Sequence, residues 1–164
     1  MKRDSSATGA ITLRDVTEAD LDTLYAQQLE EEGRHMAAFC RKAFQARDFY
    51  DAHWVKLFAD EAVITKTILC RGELAGHVGK FVRNGDAEVT YWLGRAYWGK
   101  GIATKALSLF LDVVEGRPLF GRVVSDNVGS LRVLQKCGFT IIGREMGFAE
   151  ARGEEVEEVV LKLA

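Results

Sequence analysis

The stretch from Trp98 to Thr104 contains the residues of this sequence best suited to chemistry. It reads Trp-Gly-Lys-Gly-Ile-Ala-Thr, and its two glycines stand just before the apolar periodicity of a helix. N–H groups at a helix start attract an anion, and glycines let the backbone approach that anion without interference from a Cβ. Arg95 and Lys100 add positive charge. The segment therefore predicts a phosphate-binding turn, and the alternative is a tight turn whose glycines serve only packing.

Three kinds of phosphate ligand compete for this loop. The spacing of Gly94, Gly99 and Lys100 approaches that of a nucleoside-triphosphate loop, but Gly101 stands where that loop needs a hydroxyl to bind magnesium. A dinucleotide loop would need a small residue in place of Thr104, and it should open a first βαβ unit. The third candidate is the pyrophosphate of coenzyme A.

The elements that position the loop follow from hydrophobic periodicity and from turn residues. In chain order, the predicted elements are a strand over 11–16, a helix from Glu18, one or two helices over 30–60, strands over 63–70, 74–82 and 88–93, a helix from Ile102 to Val114, a strand over 120–125, a helix over 130–137, and strands over 139–148 and 156–163. Asn84-Gly85 lies between two strand patterns and predicts a type I′ hairpin.

This order predicts an α+β fold with a mixed, mostly antiparallel central sheet of about seven strands and helices on both faces. The strands before Gly94 and after Pro118 are connected through a helix, so they are expected to run parallel by a right-handed crossover. The glycine loop then lies where the first of these strands ends and the helix begins.

Length and composition limit the classes of protein to which this chain can belong. The chain has 164 residues, which predicts a single domain over 1–164 with residues 1–10 as a flexible tail. The formal charge of −2 disfavours nucleic acid as a partner, and the lack of a long apolar run disfavours a membrane span. Cys40, Cys70 and Cys137 have neither disulfide nor zinc spacing, so we expect a reducing, cytoplasmic location.

Three segments together carry a family resemblance. They are Tyr91-Trp92-Leu93 followed by Trp98-Gly99-Lys100-Gly101-Ile102-Ala103-Thr104, then Asn127-x-x-Ser130 with Val133, Lys136 and Gly138-Phe139, and the opening Ile11-x-Leu13-Arg14 with Asp20. The chain resembles the GNAT superfamily of acetyl-CoA-dependent N-acetyltransferases over 11–163, and within it the branch of the ribosomal-protein-alanine acetyltransferases.

The resemblance implies acetyl-CoA as cosubstrate, no metal, and transfer of the acetyl group to a primary amine by direct attack. The acceptor is then a small molecule or a protein N-terminus, and pairing of the final strands offers a route to a homodimer. The residues implied in cofactor binding are Trp92, Leu93, Gly94, Trp98, Gly99, Lys100, Gly101, Ile102, Ala103, Thr104 and Asn127. The backbone of residues 92–94 would hold the pantetheine and supply the oxyanion donor, and residues 99–104 would hold the pyrophosphate.

Two departures from the family pattern affect the catalytic assignments. Ala96 stands where the pattern has Gln or Arg, and no tyrosine follows Tyr97 to protonate the leaving thiolate. Ser130 is the proposed substitute, helped by Asn127, and its alternative role is a helix cap. Glu88 is the candidate base because alternation places it on the same strand face as Trp92, and its alternative is a solvated carboxylate.

The departures keep alternative functions open. A non-catalytic sensor that binds coenzyme A on the same fold is one, and a small ATPase or kinase is another. The histidines are scattered along the chain and predict no triad or metal site, and Cys137 is expected in the core. Glu30–Glu32 is expected to be a solvated helix end or a surface that attracts a cationic amine, and the glutamates of 154–158 are expected to be exposed.

Overall fold

The computed structural model describes residues 10–164, so the tail expected over 1–10 lies outside the described residues except for Ala10. The strands are β1 (Ile11–Asp15), β2 (Ile64–Cys70), β3 (Glu73–Arg83), β4 (Asp86–Leu93), β5 (Leu119–Val124), β6 (Thr140–Ala149) and β7 (Glu154–Leu163). The α-helices are α1 (Leu21–Gln28), α2 (Glu31–Ala37), α3 (Arg47–Ala59), α4 (Ile102–Val113) and α5 (Val128–Lys136). Short 3-10 turns cover Glu18–Asp20, Lys42–Gln45 and Arg95–Tyr97.

The strands form one sheet in the order β1-β2-β3-β4-β5-β7-β6. Strands β4 and β5 run parallel and share a single register pair, Glu88 with Phe120, whereas the other neighbouring strands are antiparallel. The predicted mixed sheet and its parallel pair are therefore confirmed. Because pairing stops at Glu88, the carboxyl end of β4 diverges from β5 and leaves a gap in the sheet.

Local sequence signals explain most boundaries. Asn84 and Gly85 have φ values of 52° and 84°, as the predicted type I′ turn requires. The turn before α1 begins at Glu18 as predicted, and Asp20 accepts a hydrogen bond from the N–H of Thr17 at 3.0 Å. Helix α5 begins two residues earlier than predicted, because the side chain of Asn127 caps it by accepting the N–H of Ser130.

The helices cover both faces of the sheet, as predicted. Helices α4 and α5 pack on one face, where Ile68, Leu107 and Phe110 are completely buried. Helices α1 and α3 pack on the opposite face through Leu24 and Trp54, and α2 lies on that same face. We refer to these as the α4/α5 face and the α1–α3 face. Among residues 10–164, none of the helices has the length and apolar character needed to cross a membrane.

Candidate active site

The gap between β4 and β5 exposes backbone donors of β4. The N–H of Gly94 donates to the carbonyl of Ala75 on β3 at 2.9 Å. Because successive residues of a strand alternate their hydrogen-bonding edges, the N–H groups of Tyr91 and Leu93 point to the opposite edge, where β5 has departed. Among residues 92–94, only Leu93 therefore directs its N–H into the gap. This corrects the expectation that Trp92 and Gly94 offer backbone donors there.

The loop before α4 presents further unpaired donors. Gly101 precedes the helix with φ of 77°, and no side chain caps it. The N–H of Lys105 makes the first helical bond, to the carbonyl of Gly101 at 3.2 Å, so the N–H groups of residues 102–104 have no acceptor within the helix. Gly99 has φ of 73° and nothing within 4 Å of its Cβ position. Open backbone and free N–H groups suit the pyrophosphate of coenzyme A.

Trp98 and Lys100 occupy different surroundings in this loop. The indole Nε1 of Trp98 donates to the carbonyl of Leu93 at 3.0 Å, so Trp98 links the loop to the end of β4. Lys100 is exposed and borders a cavity of about 310 Å³ whose other lining residues are Cys70, Arg71, Glu73, Tyr97 and Ile102. Its ammonium is therefore available to an anion at the loop. The side chain of Ile102 is buried, so this residue offers only its N–H.

Arg95 faces α2 as well as the loop. Its N–H donates to Glu30 Oε1 at 2.8 Å, and its guanidinium lies 3.6 Å from Glu32 Oε2 and stacks over the Trp98 ring. Two of the three glutamates expected to be solvated or to attract an amine therefore contact Arg95. These contacts join the acidic start of α2 to the residues before the glycine loop.

Ser130 lies at the mouth of the gap and has an unexpected partner. The hydroxyl of Tyr91 donates to Ser130 Oγ at 2.9 Å, although 39 residues separate the two in the chain. Burial raises the pKa of the Tyr91 phenol, so this group stays protonated and remains a donor. The structure thus places a tyrosine beside Ser130 from β4, upstream of the segment in which the family pattern has one.

Asn127 holds two elements together. Its Oδ1 accepts the N–H of Ser130 at 3.2 Å, and its Nδ2 donates to the carbonyl of Met36 at 3.3 Å. Arg152 reinforces the connection, because it pairs with both carboxylate oxygens of Asp126 and donates to the carbonyl of His35. Helix α2 is therefore fastened to the end of β4 on one side and to α5 on the other.

Glu88 is buried, unlike the solvated carboxylate that was its alternative. Its side chain is 5% exposed as a residue and contacts Arg122 Nε at 3.2 Å and Arg83 Nε at 3.6 Å. Arg122 also pairs with Glu145 at 2.8 Å and with Glu158 at 3.2 Å. We call these five residues the Arg122 cluster. Glu158 is partly buried and not exposed as expected, because it turns inward to Arg122.

The structure places Glu88 at the closed end of the gap. Glu88 is the last β4 residue paired with β5, and Trp92 lies four residues further on, about 13 Å along an extended strand. Direct contact between the Glu88 carboxylate and a group held at Leu93 is therefore ruled out by length alone. Any proton transfer to Glu88 must pass through intervening water.

Two further titratable residues lie beside the site: His77 is the cross-strand register partner of Trp92, and Cys137 lies close to Tyr91. His77 packs against Trp54 on the α1–α3 face, and burial lowers the pKa of its imidazole to about 4. Cys137 is partly buried and donates to the Thr104 carbonyl at 3.6 Å, and burial raises the pKa of its thiol. Within residues 10–164, no three His, Cys, Asp or Glu side chains are arranged to hold a metal ion.

Two residues of the site carry no functional signal in the sequence. Tyr91 lies in the strand motif at a position to which the motif gives no role, and Arg122 lies outside every motif. Their partners lie 39 and 34 residues away, so no local spacing signals the contacts. Arg122 is the one charged residue in the otherwise apolar strand Leu119–Val124, and a charge in such a strand indicates a buried ion pair.

Comparison with known proteins gives concordant matches. A family model described as an acetyltransferase (GNAT) domain matches residues 10–140. The uncharacterized N-acetyltransferase p20 of Bacillus licheniformis is 29% identical over 84 residues, which make up 49% of this chain and about half (47%) of that protein. The spermidine N(1)-acetyltransferase of Escherichia coli K12 is 28% identical over 148 residues, covering 84% of this chain and 76% of that protein.

The structural comparison concerns the fold. RimJ of Mycobacterium smegmatis, solved in complex with CoA-disulfide, matches with a TM-score of 0.80 and 23% identity over 96% of this chain and 83% of that one. The likeness shows that the two chains share a fold.

Proposed function

Because the chain belongs to the GNAT acetyltransferase family, we propose that it uses acetyl-CoA to acetylate a primary amine by direct attack, with no metal and no covalent enzyme intermediate. The observation that carries this proposal is the juxtaposition of two sets of unpaired N–H groups. One set lies at residues 102–104 before α4 and suits a pyrophosphate, and the other lies on β4 at the gap. Residues 1–164 are proposed to act as a single acetyltransferase domain.

Acetyl-CoA supplies an activated thioester for the reaction and phosphate groups by which the protein can bind it. The backbone of residues 99–104 is proposed to hold the pyrophosphate, with Lys100 adding charge from solvent. The N–H of Leu93 is proposed to stabilise the oxyanion that develops as the amine attacks, since a fixed donor at the gap needs no reorganisation. Trp98, bonded to the Leu93 carbonyl, links the loop to the end of β4. Asn127, which caps α5 and bonds to the Met36 carbonyl, is proposed to bind the cofactor beside them.

Ser130 is proposed to protonate the departing sulfur. When the C–S bond breaks, the sulfur leaves with the electron pair and needs a proton. Ser130 Oγ accepts the hydrogen bond of Tyr91, which leaves the serine's own proton free to be donated. Tyr91 in turn supplies the proton that Ser130 gives up, and the second proton that the attacking nitrogen must lose returns through solvent to the phenol, so neither residue keeps a charge. This pair is proposed to take the role of the missing late tyrosine, which together with Ala96 keeps the non-catalytic sensor open as an alternative.

Glu88 is proposed to receive the proton of the acceptor ammonium through water. Removal of that proton exposes the nitrogen lone pair, which then forms the N–C bond. Glu88 is the buried carboxylate on the α1–α3 face of β4, the face that also carries Trp92 and α2. The distance along the strand requires the water-mediated route.

The acceptor is proposed to approach from the α1–α3 face and to be a small amine or a protein N-terminus. The spermidine N(1)-acetyltransferase relative supports the first and the fold shared with RimJ supports the second. A homodimer is proposed through β6, which ends the sheet and exposes Ile142, Met146 and Phe148. Cys40, Cys70 and Cys137 form no disulfide in the described part of the chain, which supports a cytoplasmic location.

Calorimetric titration with acetyl-CoA, coenzyme A and Mg-ATP tests the cofactor assignment. We expect micromolar binding of both CoA forms and none of ATP, which also excludes the ATPase or kinase alternative. Release of free thiol in the presence of spermidine or an alanyl peptide then tests catalysis. Binding without thiol release for any primary amine would establish the sensor instead.

A further inference from the structure

Arg41 is an exposed arginine that is held against aromatic rings. Among residues 10–164, the arginines that lie over aromatic rings are Arg41, Arg47 and Arg95. Arg47 and Arg95 each also contact a carboxylate oxygen, at 2.7 Å and 3.6 Å. In the same part of the chain, the guanidinium of Arg41 neither pairs with a carboxylate nor donates a hydrogen bond. Its N–H groups are therefore available to a ligand.

The setting of Arg41 prepares it to bind a carboxylate. Its guanidinium carbon lies 5.6 Å from the centre of the Phe44 ring and 5.1 Å from the centre of the Phe49 ring. Contact with two rings limits the motion of this long side chain, so less conformational entropy is lost when it binds a ligand. The planar fork of a guanidinium matches a carboxylate through two parallel hydrogen bonds. Phe49 is 40% exposed, so the ring and the guanidinium form one surface that solvent reaches.

Positive charge extends from Arg41 along α3. Phe49, His53 and Lys56 follow one another at the spacing that places side chains on one face of a helix. The ring of His53 lies 4.6 Å from that of Phe44. Burial lowers the pKa of the His53 imidazole, and the charges of Arg41 and Lys56 lower it further, with no carboxylate acting against them among the described residues. We call Arg41, Phe44, Phe49, His53 and Lys56 the Arg41 patch.

The segment that carries Arg41 connects the two sides of the gap on the α1–α3 face. The carbonyl of Phe44 accepts a hydrogen bond from α1 at 2.8 Å. On the same helix, Gln27 rests on Gly94 at the end of β4, since a Cβ there would lie 3.0 Å from its Nε2. Phe39 packs in a small cluster with the ends of β5 and β6. Arg41 lies between these two phenylalanines, so it borders the face from which the acceptor is proposed to approach.

The patch lies within reach of a peptide whose amine is at the gap. His77 is the register partner of Trp92 on the neighbouring strand, and its ring lies 5.4 Å from that of Trp54, the residue after His53. This path from Leu93 to the patch is about 15 Å long, which about four or five residues of extended chain would span. Side chains from about the fourth residue of an acceptor onward would therefore meet the patch.

The chemistry of the patch favours a peptide over a nucleic acid. The ring of Phe44 contacts Arg41, Phe49, Tyr50 and His53, so it offers no open face on which a base could stack. The formal charge of the chain is −2, which provides no broad basic surface for a phosphate backbone. Two cations at the edge of the acceptor approach instead match a few carboxylates.

We propose that the Arg41 patch binds an acidic segment that follows the N-terminal amine of a protein acceptor. The inference rests on the proposed function and selects the protein N-terminus from its two classes of acceptor. Arg41 binds one carboxylate through its fork, and Lys56 attracts a second from the exposed side of α3. Binding energy at this patch holds the amine at the gap, so it appears in the kcat/KM of acetyl transfer.

The test compares acceptor peptides that differ only in charge. Thiol release from acetyl-CoA is measured with an octapeptide that begins with alanine and carries three glutamates from its fourth residue, and with the same peptide carrying three glutamines or three lysines. The proteins are wild type, Arg41→Gln, Lys56→Gln and Arg132→Gln. Arg132 is the matched control, because it is an exposed arginine on α5, on the α4/α5 face. Acetyl-CoA binding and thermal unfolding are recorded for each variant.

Wild type is expected to prefer the glutamate peptide over the glutamine peptide by about tenfold or more in kcat/KM, the scale of a hydrogen-bonded charge pair. Arg41→Gln should reduce this preference by about tenfold, and Lys56→Gln by about threefold because its ammonium is more exposed. Arg132→Gln should retain the preference. Higher ionic strength should weaken it in wild type. If Arg41→Gln is poorly folded, Arg41→Met takes its place, since the methionine keeps an apolar stem against the rings.

The outcomes separate the two proposals. Equal kcat/KM on the three peptides in wild type, or a preference that survives in Arg41→Gln, overturns the role of the patch. Acetylation of spermidine but of no peptide overturns it as well, as does inhibition by a short single-stranded RNA without any preference among the peptides. In each of these cases, thiol release with a primary amine leaves the acetyltransferase assignment in place. Failure of every primary amine to release thiol from a protein that binds acetyl-CoA overturns the proposed function itself.

Discussion

Ser130 and Tyr91 show how one hydrogen bond changes the meaning of a residue. As a first-turn serine, Ser130 could act as no more than a cap, but the capping oxygen of α5 belongs to Asn127, which accepts the Ser130 N–H at 3.2 Å. The Ser130 hydroxyl therefore does not cap the helix, and it accepts the hydrogen bond of Tyr91 at 2.9 Å. The pair lies where β4 has separated from β5.

Replacement of Tyr91 tests this pair. Tyr91→Phe removes the hydroxyl that donates to Ser130 and resupplies its proton. We therefore expect kcat to fall about tenfold or more while the KM for the amine stays constant. Ser130→Ala should lower kcat further, and the double variant should be no worse than Ser130→Ala, because the two residues act in series. Steady-state kinetics on the three variants measure this. Tyr97→Phe is the control, since that hydroxyl contacts only the exposed carboxylate of Glu73; unchanged kcat in Tyr91→Phe contradicts the assignment.

Glu88 is testable through the pH dependence of activity. If this carboxylate accepts the amine's proton, Glu88→Gln should lower kcat/KM by about a hundredfold at neutral pH, and a higher pH should restore part of the loss because more of the acceptor amine is then unprotonated. The pH profile of kcat/KM is the measurement. Unchanged kcat/KM in the variant would show that Glu88 serves only to pair with Arg122, in which case its effect would be confined to thermal unfolding.

His77 predicts the pH dependence of stability. Its Nδ1 is shielded from solvent and has no partner, and burial lowers the pKa of the imidazole to about 4. The unfolded chain binds a proton near pH 6.5, whereas the native chain binds it only near pH 4. The free energy of unfolding should therefore fall as the pH drops from 6.5 to 4, by up to roughly 3 kcal/mol.

Denaturant unfolding at several pH values measures the His77 effect. His77→Phe keeps an aromatic ring against Trp54 and should remove the slope in this window. The decrease in stability below pH 4 should persist in His77→Phe, because it comes from another residue. Hydrogen bonds to Arg14 lower the pKa of Asp20 to about 2. The stability that Asp20 contributes is therefore lost as the pH falls from its unfolded pKa to about 2. An unchanged slope between pH 6.5 and 4 would show that other groups cause it.

At the scale of elements, α4 shows how a helix start can leave its N–H groups available to an anion. The helix begins without a side-chain cap, because Gly101 stands at the N-cap with φ of 77°. A serine or aspartate there would satisfy the first N–H groups internally and remove them from a ligand. Glycines at 99 and 101 thus leave the donors free at a cost in local stability.

Gly99→Ala tests the loop against a matched position. Gly99 and Gly85 have φ values of 73° and 84°, and neither has an atom within 4 Å of its Cβ position, so alanine strains both equally. Both variants should lose about 1 kcal/mol of stability. Only Gly99→Ala should weaken acetyl-CoA binding, by about tenfold, because its loop would shift the donors of residues 102–104. Calorimetric titration measures the acetyl-CoA affinity of both variants. Equal affinities would show that the loop at Gly99 does not bind the cofactor.

The whole molecule depends on a connection between two halves of the sheet. Strands β1 to β4 and strands β5 to β7 meet at the single register pair of Glu88 and Phe120. The Arg122 cluster lies at this point and includes side chains from β3, β4, β5, β6 and β7. The gap proposed to admit the cofactor therefore opens beside an ionic cluster that spans both halves of the sheet.

Arg122→Met is expected to weaken that connection. The carboxylates of Glu88 and Glu158 would remain buried without their shared partner, which costs roughly 3 kcal/mol at pH 7. Burial already raises the pKa of Glu158, so its native state takes up a proton more readily than the unfolded chain. The variant should therefore lose less stability at pH 5 than at pH 7.

Denaturant unfolding at both pH values checks the Arg122 prediction. Arg144→Met is the control, because Arg144 pairs with Glu157 on the same strand pair while both side chains are largely solvated, at 50% and 42% exposure. That substitution should change stability by less than about 0.5 kcal/mol. Similar losses in the two variants would show that Arg122 does not connect the halves.

The sequence by itself determined the elements, the mixed sheet and the glycine loop, because these depend on periodicity and turn residues that act over a few positions. The hairpin at Asn84-Gly85 and the buried stripe of α4 follow directly from such local patterns. Tertiary structure alone decided that Tyr91 meets Ser130, that Glu88 is buried against Arg122, and that Gln27 rests on Gly94. Each of these contacts joins residues more than 30 positions apart. They arise from how the strands diverge and where the helices cross them, which no local pattern encodes.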